Sequence, residues 1–287
     1  MLTDRVGLFA RVPTRLRRIG EFVSSQRPPI LESIVQRDRL VLLSALVGIS
    51  AIAWAYTIVL SGGAGHAAHA TILAEPRIWT GTDLAMTFGM WTVMMLAMML
   101  PTVAPMVLSL AEISRGQSVP ASPVAPATGF LLGYAIVLTA FSLFAAVAQW
   151  GFHQAAWTSM TGESTNRVFA GAVLLGAGAF QFSRLKDACL RRCRSPLWFL
   201  MTQWRSGPVG GIKMGIAHGR FCIGCCWALM ALMFVGGSMN LLWTAGLALF
   251  MLAEKAMPAG RTIGRIAGAG LVVWGAGVLG VALLAAL

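Results

Sequence analysis

Three cysteines and a histidine, His218, Cys222, Cys225 and Cys226, fall within nine positions of one apolar stretch, His218-Gly219-Arg220-Phe221-Cys222-Ile223-Gly224-Cys225-Cys226-Trp227. On a helix advancing 100° per residue, the three thiols stand roughly 40°, 340° and 80° from His218, so all four donors share an arc of about 100°. Thiolate and imidazole bind soft and borderline metals, and donors on one face can meet at one ion. A lone buried cysteine is commonly small apolar filler. Four donors on one arc point instead to a metal or redox site.

The remaining cysteines, Cys189 and Cys193, lie four apart in the basic stretch Arg184-Leu185-Lys186-Asp187-Ala188-Cys189-Leu190-Arg191-Arg192-Cys193-Arg194. A helix there puts both on one face. The surrounding cations are expected to depress the thiol pKa values and favour thiolate. Both precede the first cluster by one loop, so all five thiols are expected on one side of whatever the apolar segments cross. A reducing compartment on that side favours ligands over disulfides.

A third set of soft donors is the run Met86, Met90, Met94 and Met98, which advances by four and drifts about 40° per step. Met95, Met99 and Met106 occupy another face of the same segment, and Met214 and Met233 extend the cysteine arc. Thioethers suit Cu(I), so the run reads as a relay for that ion; methionine is also an adaptable core residue, and the alternative is packing. His66 and His69, three apart in a glycine-rich stretch, could catch a metal at the other end or stand free in solvent. His153 is solitary.

What must position these groups is a membrane bundle. The 287 residues are 57% hydrophobic and 11% charged, with mean hydropathy +0.75. That composition is far from a soluble average. The net charge of +12 therefore reads as topology rather than nucleic-acid binding. Seven apolar segments are expected at about 40–60, 84–110, 127–150, 168–184, 216–236, 239–256 and 265–286. The first follows a long polar lead and reads as an anchor, with no cleaved signal peptide evident.

Alternating sides assigns the arm of residues 1–39 (eight arginines), Arg115, residues 184–220 (eight cations) and residues 255–265 (three) to one face, 20 in all. Only Arg77 and Arg167 fall on the other. The positive-inside rule then sets the N-terminus in the cytoplasm and the C-terminus outside. The fold class expected is all-α, a polytopic bundle of about seven spans over residues 40–287 in a bacterial inner membrane. Leu8, Val12, Leu16, Ile19 and Val23 recur at helical spacing within the arm, which suits an amphipathic helix on anionic lipid or a solvated tail.

Pro101 and Pro105 should free backbone carbonyls within the second segment, tolerable in a bilayer only where partners exist. Gly211, Gly215 and Gly219 make a small face for a neighbouring helix, with the second segment one candidate. Segment three offers no chemistry by this reading, and Glu254-Lys255 marks the end of segment six. No Ser/His/Asp set, phosphate loop or paired carboxylate is evident, so no enzyme activity is expected.

Three stretches carry a resemblance: Met94-Met95-Leu96-Ala97-Met98-Met99-Leu100-Pro101-Thr102 with Pro105-Met106, Cys189-Leu190-Arg191-Arg192-Cys193-Arg194-Ser195-Pro196, and His218-Gly219 through Cys222-Ile223-Gly224-Cys225-Cys226-Trp227 to Met239-Asn240-Leu241 and Glu254-Lys255. Together they resemble the bacterial family of predicted metal-binding integral membrane proteins, a domain of unknown function whose members are sometimes labelled copper chaperone-like. The resemblance covers about residues 80–275 and supports metal binding without implying transport.

The leading expectation is a membrane protein that handles Cu(I) through His218, Cys222, Cys225 and Cys226, with Cys189 and Cys193 adding thiolates. Its partners would be the bilayer, the metal ion and a metallochaperone or membrane partner. One alternative is a membrane thiol–disulfide carrier. Another is an accessory subunit whose cysteines hold structural zinc. Haem attachment is disfavoured, because Cys226 stands where that motif needs histidine.

Overall fold

A computed structural model of the chain describes residues 29–61, 79–115, 124–159 and 162–285. The amphipathic arm expected before residue 29, and His66 and His69, lie outside the described residues. The chain divides into two compact units, residues 1–42 and 43–287. Among the described residues the elements are helical, apart from isolated bridges pairing Thr158 with Ser164 and Glu163 with Gly236.

The helices are α1 Pro29–Ser61, α2 Gly81–Arg115, α3 Val124–Gln154, α4 Arg167–Phe180, α5 Arg184–Arg194, α6 Pro196–Gln203, α7 Gly207–Ala231, α8 Met233–Gly236, α9 Leu241–Ala256 and α10 Gly260–Leu284. Local chemistry sets several of the starts. Asn166 accepts from Val168 N and Phe169 N to cap α4, Ser183 accepts from Lys186 N to cap α5, and Asn240 accepts from Trp243 N to cap α9. Each satisfies backbone donors that the first helical turn leaves unpaired. Proline opens α6 and α7, where its missing N–H costs nothing.

All seven apolar segments are helical, but they are not equal in length. Five are long and apolar enough to cross a membrane among the described residues, or six if the pair α4 and α5, bent by 63°, is one broken span. The 14 residues of α4 and the 16 of α9 give only about 21 and 24 Å of helix, short of a hydrocarbon core of about 30 Å. Large apolar side chains such as Ile52, Phe144, Leu249 and Val273 stay exposed, which is compatible with helices that could span a membrane.

The tightest packing joins α3 to α7 through glycines on both. A Cβ on Gly215 would lie 2.0 Å from Phe130 O, one on Gly211 2.3 Å from Pro126 O, and one on Gly133 2.1 Å from Ile212 O. The partner of the Gly211–Gly215–Gly219 face is thus the third segment rather than the second. The backbones touch because no side chain intervenes. A second such pair joins α4 to α10, where a Cβ on Gly178 would meet Gly268 O at 2.8 Å and one on Gly275 would meet Gly171 O at 3.0 Å. The turn after α8 passes through Gly237 at φ +85°, a left-handed conformation glycine adopts without strain. From there α9 runs back to pack chiefly on α2 and α10.

Pro101 and Pro105 sit inside an unbroken α2. Pro101 cannot donate to Ala97 O, and that carbonyl instead accepts from Ser50 Oγ at 3.3 Å and Trp54 Nε1 at 3.2 Å, both on α1. The carbonyl freed by proline therefore becomes a tie between helices.

Candidate metal centre

The five cysteines are free, three on α7 and two on α5, which packs against it. Cys222, Cys225 and Cys226 are all buried, as the shared arc requires. Cys193 stands within hydrogen-bond reach of Cys222 and Cys225. Cys189 lies directly over Gly224, where an added Cβ would come within 2.9 Å of its Sγ. The missing side chain at Gly224 is what lets α5 come down onto α7. Arg192 reinforces that docking, its guanidinium 4.5 Å from the centre of the Phe221 ring.

The thiolate expectation for α5 does not hold. This helix carries six charged residues in eleven and lies outside the apolar spans. Burial, and then the nearby Cys225, push the Cys189 thiol up, outweighing the downward pull of Arg192. Cys193 is also pushed well up, first by its hydrogen bonds with Cys222 and Cys225 and then by burial. Arg192 faces α7, but its pull on Cys189 is smaller than the effect of burial and of the neighbouring thiol.

Cys222 is the hub. Its Sγ lies 3.1 Å from Tyr134 Oη, 3.1 Å from Lys255 Nζ and 3.8 Å from Met99 Sδ. Lys255 Nζ is also 3.4 Å from Met99 Sδ and 3.5 Å from Thr102 Oγ1. The Thr102 hydroxyl donates to Met99 O at 2.8 Å, which leaves its lone pairs turned toward the ammonium. Cys225 and Cys226 each donate to Cys222 O at 3.0 Å, and their sulfurs stay within hydrogen-bond reach of neighbouring thiols, Cys225 of Cys193 and Cys226, and Cys226 of Cys222. In this arrangement no three His, Cys, Asp or Glu side chains among the described residues could hold a metal ion.

His218 is buried in an aromatic box, with ring centroids 5.6 Å from Phe130, 6.0 Å from Tyr134 and 5.4 Å from Phe199. Among the described residues its Nδ1 finds no hydrogen-bond partner. An orphaned ring nitrogen beside a thiol cluster is a lone pair or N–H held ready, since burial otherwise demands satisfaction.

The methionines divide by depth and face. Met86 is exposed, whereas Met94 and Met98 are buried, the outcome of a 40° drift per four residues carrying the run from the outside of α2 to its inside. Met90 and Met94 line a shallow cleft together with Met239, Tyr56 and Thr57. Met99 alone of the α2 methionines reaches Cys222 in a described contact.

Sequence reasoning passed over three residues here. Tyr134 was hidden in a segment of seemingly inert composition; the one tyrosine in a mostly apolar helix was its signal. Thr102 read as a helix residue. Lys255 read as an interface marker beside Glu254. The structure sends this pair in opposite directions. Buried Glu254 meets buried Lys186 at 2.7 Å, and Lys186 also donates to Gln181. Gly260, Gly264 and Gly268 make room for that polar group against α10.

A family model described as copper chaperone (PpoB2) matches residues 88–278, two thirds of the chain, including all five cysteines, His218, Met99, Tyr134 and Lys255. No curated protein and no solved structure matches.

Proposed function

This chain belongs to the copper chaperone family, and we propose that it is a multi-pass inner-membrane protein that binds Cu(I) as cargo. The ion would sit at Cys222, with Met99 and one or more of Cys193, Cys225, Cys226 and His218 completing its shell. The observation that carries this reading is the gathering of thiols from two separate stretches around one buried sulfur that also touches a thioether. Cu(I) accepts two or three soft ligands, so Cys222 and Met99 with one further thiol suffice. Zinc would want four donors at tetrahedral angles, and the arrangement supports it less well.

The thioether cleft of Met90, Met94 and Met239 supports a relay. Met94 and Met99 are five residues apart on α2, about 7.5 Å along the axis. An ion entering the cleft could pass to Cys222 through Met95 and Met98 without meeting bare hydrocarbon, where an unliganded charge is prohibitively costly. We infer a carrier rather than an enzyme, with seven spans and the N-terminus in the cytoplasm, α4 and α9 serving as short spans beside thicker neighbours.

The deciding experiment is anaerobic titration of the purified protein with Cu(I) against a chromophoric chelator, with X-ray absorption on the loaded sample. A sulfur shell of two or three ligands, lost in Cys222→Ser, is expected. Four-coordinate zinc that resists copper challenge would overturn the copper reading in favour of a structural site. A Cys225–Cys226 disulfide cycling with quinone would overturn it in favour of thiol exchange. Reporter fusions at residues 160 and 200 should read external and cytoplasmic respectively, and the reverse would invert the topology.

A further inference from the structure

Resting on that copper reading, we propose that Lys255 is a tethered cation seated where Cu(I) binds, and that metal enters by displacing it. The geometry is that of a cation already coordinated. The ammonium lies 3.1 Å from Cys222 Sγ, 3.4 Å from Met99 Sδ and 3.5 Å from Thr102 Oγ1. These are one thiol, one thioether and one hydroxyl from two helices, brought together around the end of a side chain from a third.

Cys222 and Met99 are the two sulfurs best placed to share an ion. At 3.8 Å apart they can both reach one metal at a metal–sulfur distance of about 2.3 Å. Lys255 Nζ sits against the same edge of the site. An ion bridging that edge and an ammonium capping it are mutually exclusive by size and by like charge.

The exchange balances charge. One monovalent cation enters as another leaves, so the buried Cys222 sulfur keeps a counter-ion throughout; no electron moves, and any further thiol that joins the shell gives up its proton to solvent as it binds. The lysine is built to leave. It lies in the last turn of α9, its side chain is half-buried, and it points back from a helix C-terminus whose unpaired carbonyls attract a cation. Glu254 does not hold it, because that carboxylate is paired with Lys186 on the other side of the helix. Lys255 thus opposes tight retention, which a protein that passes its cargo on requires and a storage site does not.

The test compares wild type with Lys255→Leu, which removes the charge without adding a donor, and Lys255→Arg, which keeps it. Cu(I) affinity is read by chelator competition under argon. The leucine variant is expected to bind at least tenfold tighter than wild type and to release copper to the chelator correspondingly more slowly, with the arginine variant nearer wild type. Should the leucine variant fail to accumulate, wild type alone suffices. Amine acetylation followed by mass spectrometry should show Lys255 labelled several-fold faster after Cu(I) is added, with Lys213 as the internal reference. Equal or weaker affinity in Lys255→Leu, or labelling of Lys255 unchanged by copper, overturns the displacement while leaving copper binding in place. Absence of Cu(I) binding in wild type and variant alike ends the copper reading and this inference together.

Discussion

The close contact between α3 and α7 can be turned against the site by one methyl group. In Gly215→Ala the new Cβ would stand 2.0 Å from Phe130 O, 2.9 Å from Phe130 C and 2.9 Å from Tyr134 N. All three are helix backbone atoms and cannot rotate aside. Restoring a tolerable separation of about 3 Å needs the two helices to part by about 1 Å. Overpacking of this kind costs about 1–3 kcal/mol. The gain of about 1 kcal/mol from replacing glycine inside a helix offsets part of it. A net loss of about 1–2 kcal/mol remains, a drop of several degrees in the unfolding midpoint.

The same movement carries Tyr134 away from Cys222, stretching a 3.1 Å contact to about 4 Å. The variant should therefore lose both stability and Cu(I) affinity. Gly176→Ala is the matched control, since nothing lies within 4 Å of its added Cβ. It should raise stability by up to about 1 kcal/mol and leave copper binding alone. Tryptophan fluorescence during thermal unfolding in detergent, with chelator competition on the same samples, reads both quantities. If Gly215→Ala proves as stable as Gly176→Ala, the backbone contact is not what joins α3 to α7. If it is destabilised but binds Cu(I) as wild type does, Tyr134 does not hold Cys222.

Three further outcomes are expected. Lys186→Met leaves Glu254 buried without its ion partner and should cost about 3–5 kcal/mol, whereas Lys186→Met with Glu254→Leu should recover much of that loss; steady-state level and unfolding midpoint are the measures. Trp54→Phe with Ser50→Ala orphans the Ala97 carbonyl that Pro101 released and should cost about 1–3 kcal/mol, with little effect if Pro101 is also changed to alanine so that an N–H returns. Because burial raises the Cys189 thiol, iodoacetamide should modify it slowly at pH 7 and ever faster as pH climbs past the ordinary thiol range; a rate that levels off near pH 7 would mean the arginines prevail after all.

The helical segments were legible because apolar runs of this length have one solution in lipid, and the shared face of His218, Cys222, Cys225 and Cys226 followed from the angle between residues alone. Short spans such as α4 and α9 were drawn too long because a hydropathy run continues into flanking residues such as Gln181-Phe182 and Met239-Asn240, where turns and caps stop the helix. Which helix meets which was not legible. The Gly211–Gly215–Gly219 face announces a close neighbour, but Gly129 and Gly133 on the true partner look like ordinary residues of an apolar run until the two are placed together. The direction of the Cys189 shift was not legible either, because the chain shows its arginine neighbours but not the burial, and then the Cys225 thiol, that push it up.

The pair Glu254-Lys255 shows why the site depends on a group that never touches it. Adjacent helix residues project about 100° apart, so one can face α5 and α10 while the other faces α2 and α7. Lys186 fixes Glu254 on the first side, with Gly264 leaving just enough space that a Cβ there would fall 2.3 Å from Glu254 Oε1. That clamp sets the rotation of the last turn of α9, and with it the reach of Lys255 to Cys222. It also removes the nearest competing anion. A carboxylate freed on the same turn would attract the ammonium more strongly than a thiol can, and Lys255 would quit the sulfur cluster for it. The buried ion pair on one face of α9 is in this sense the condition for the cation–sulfur contact on the other, and the chemistry at Cys222 is set from across the helix.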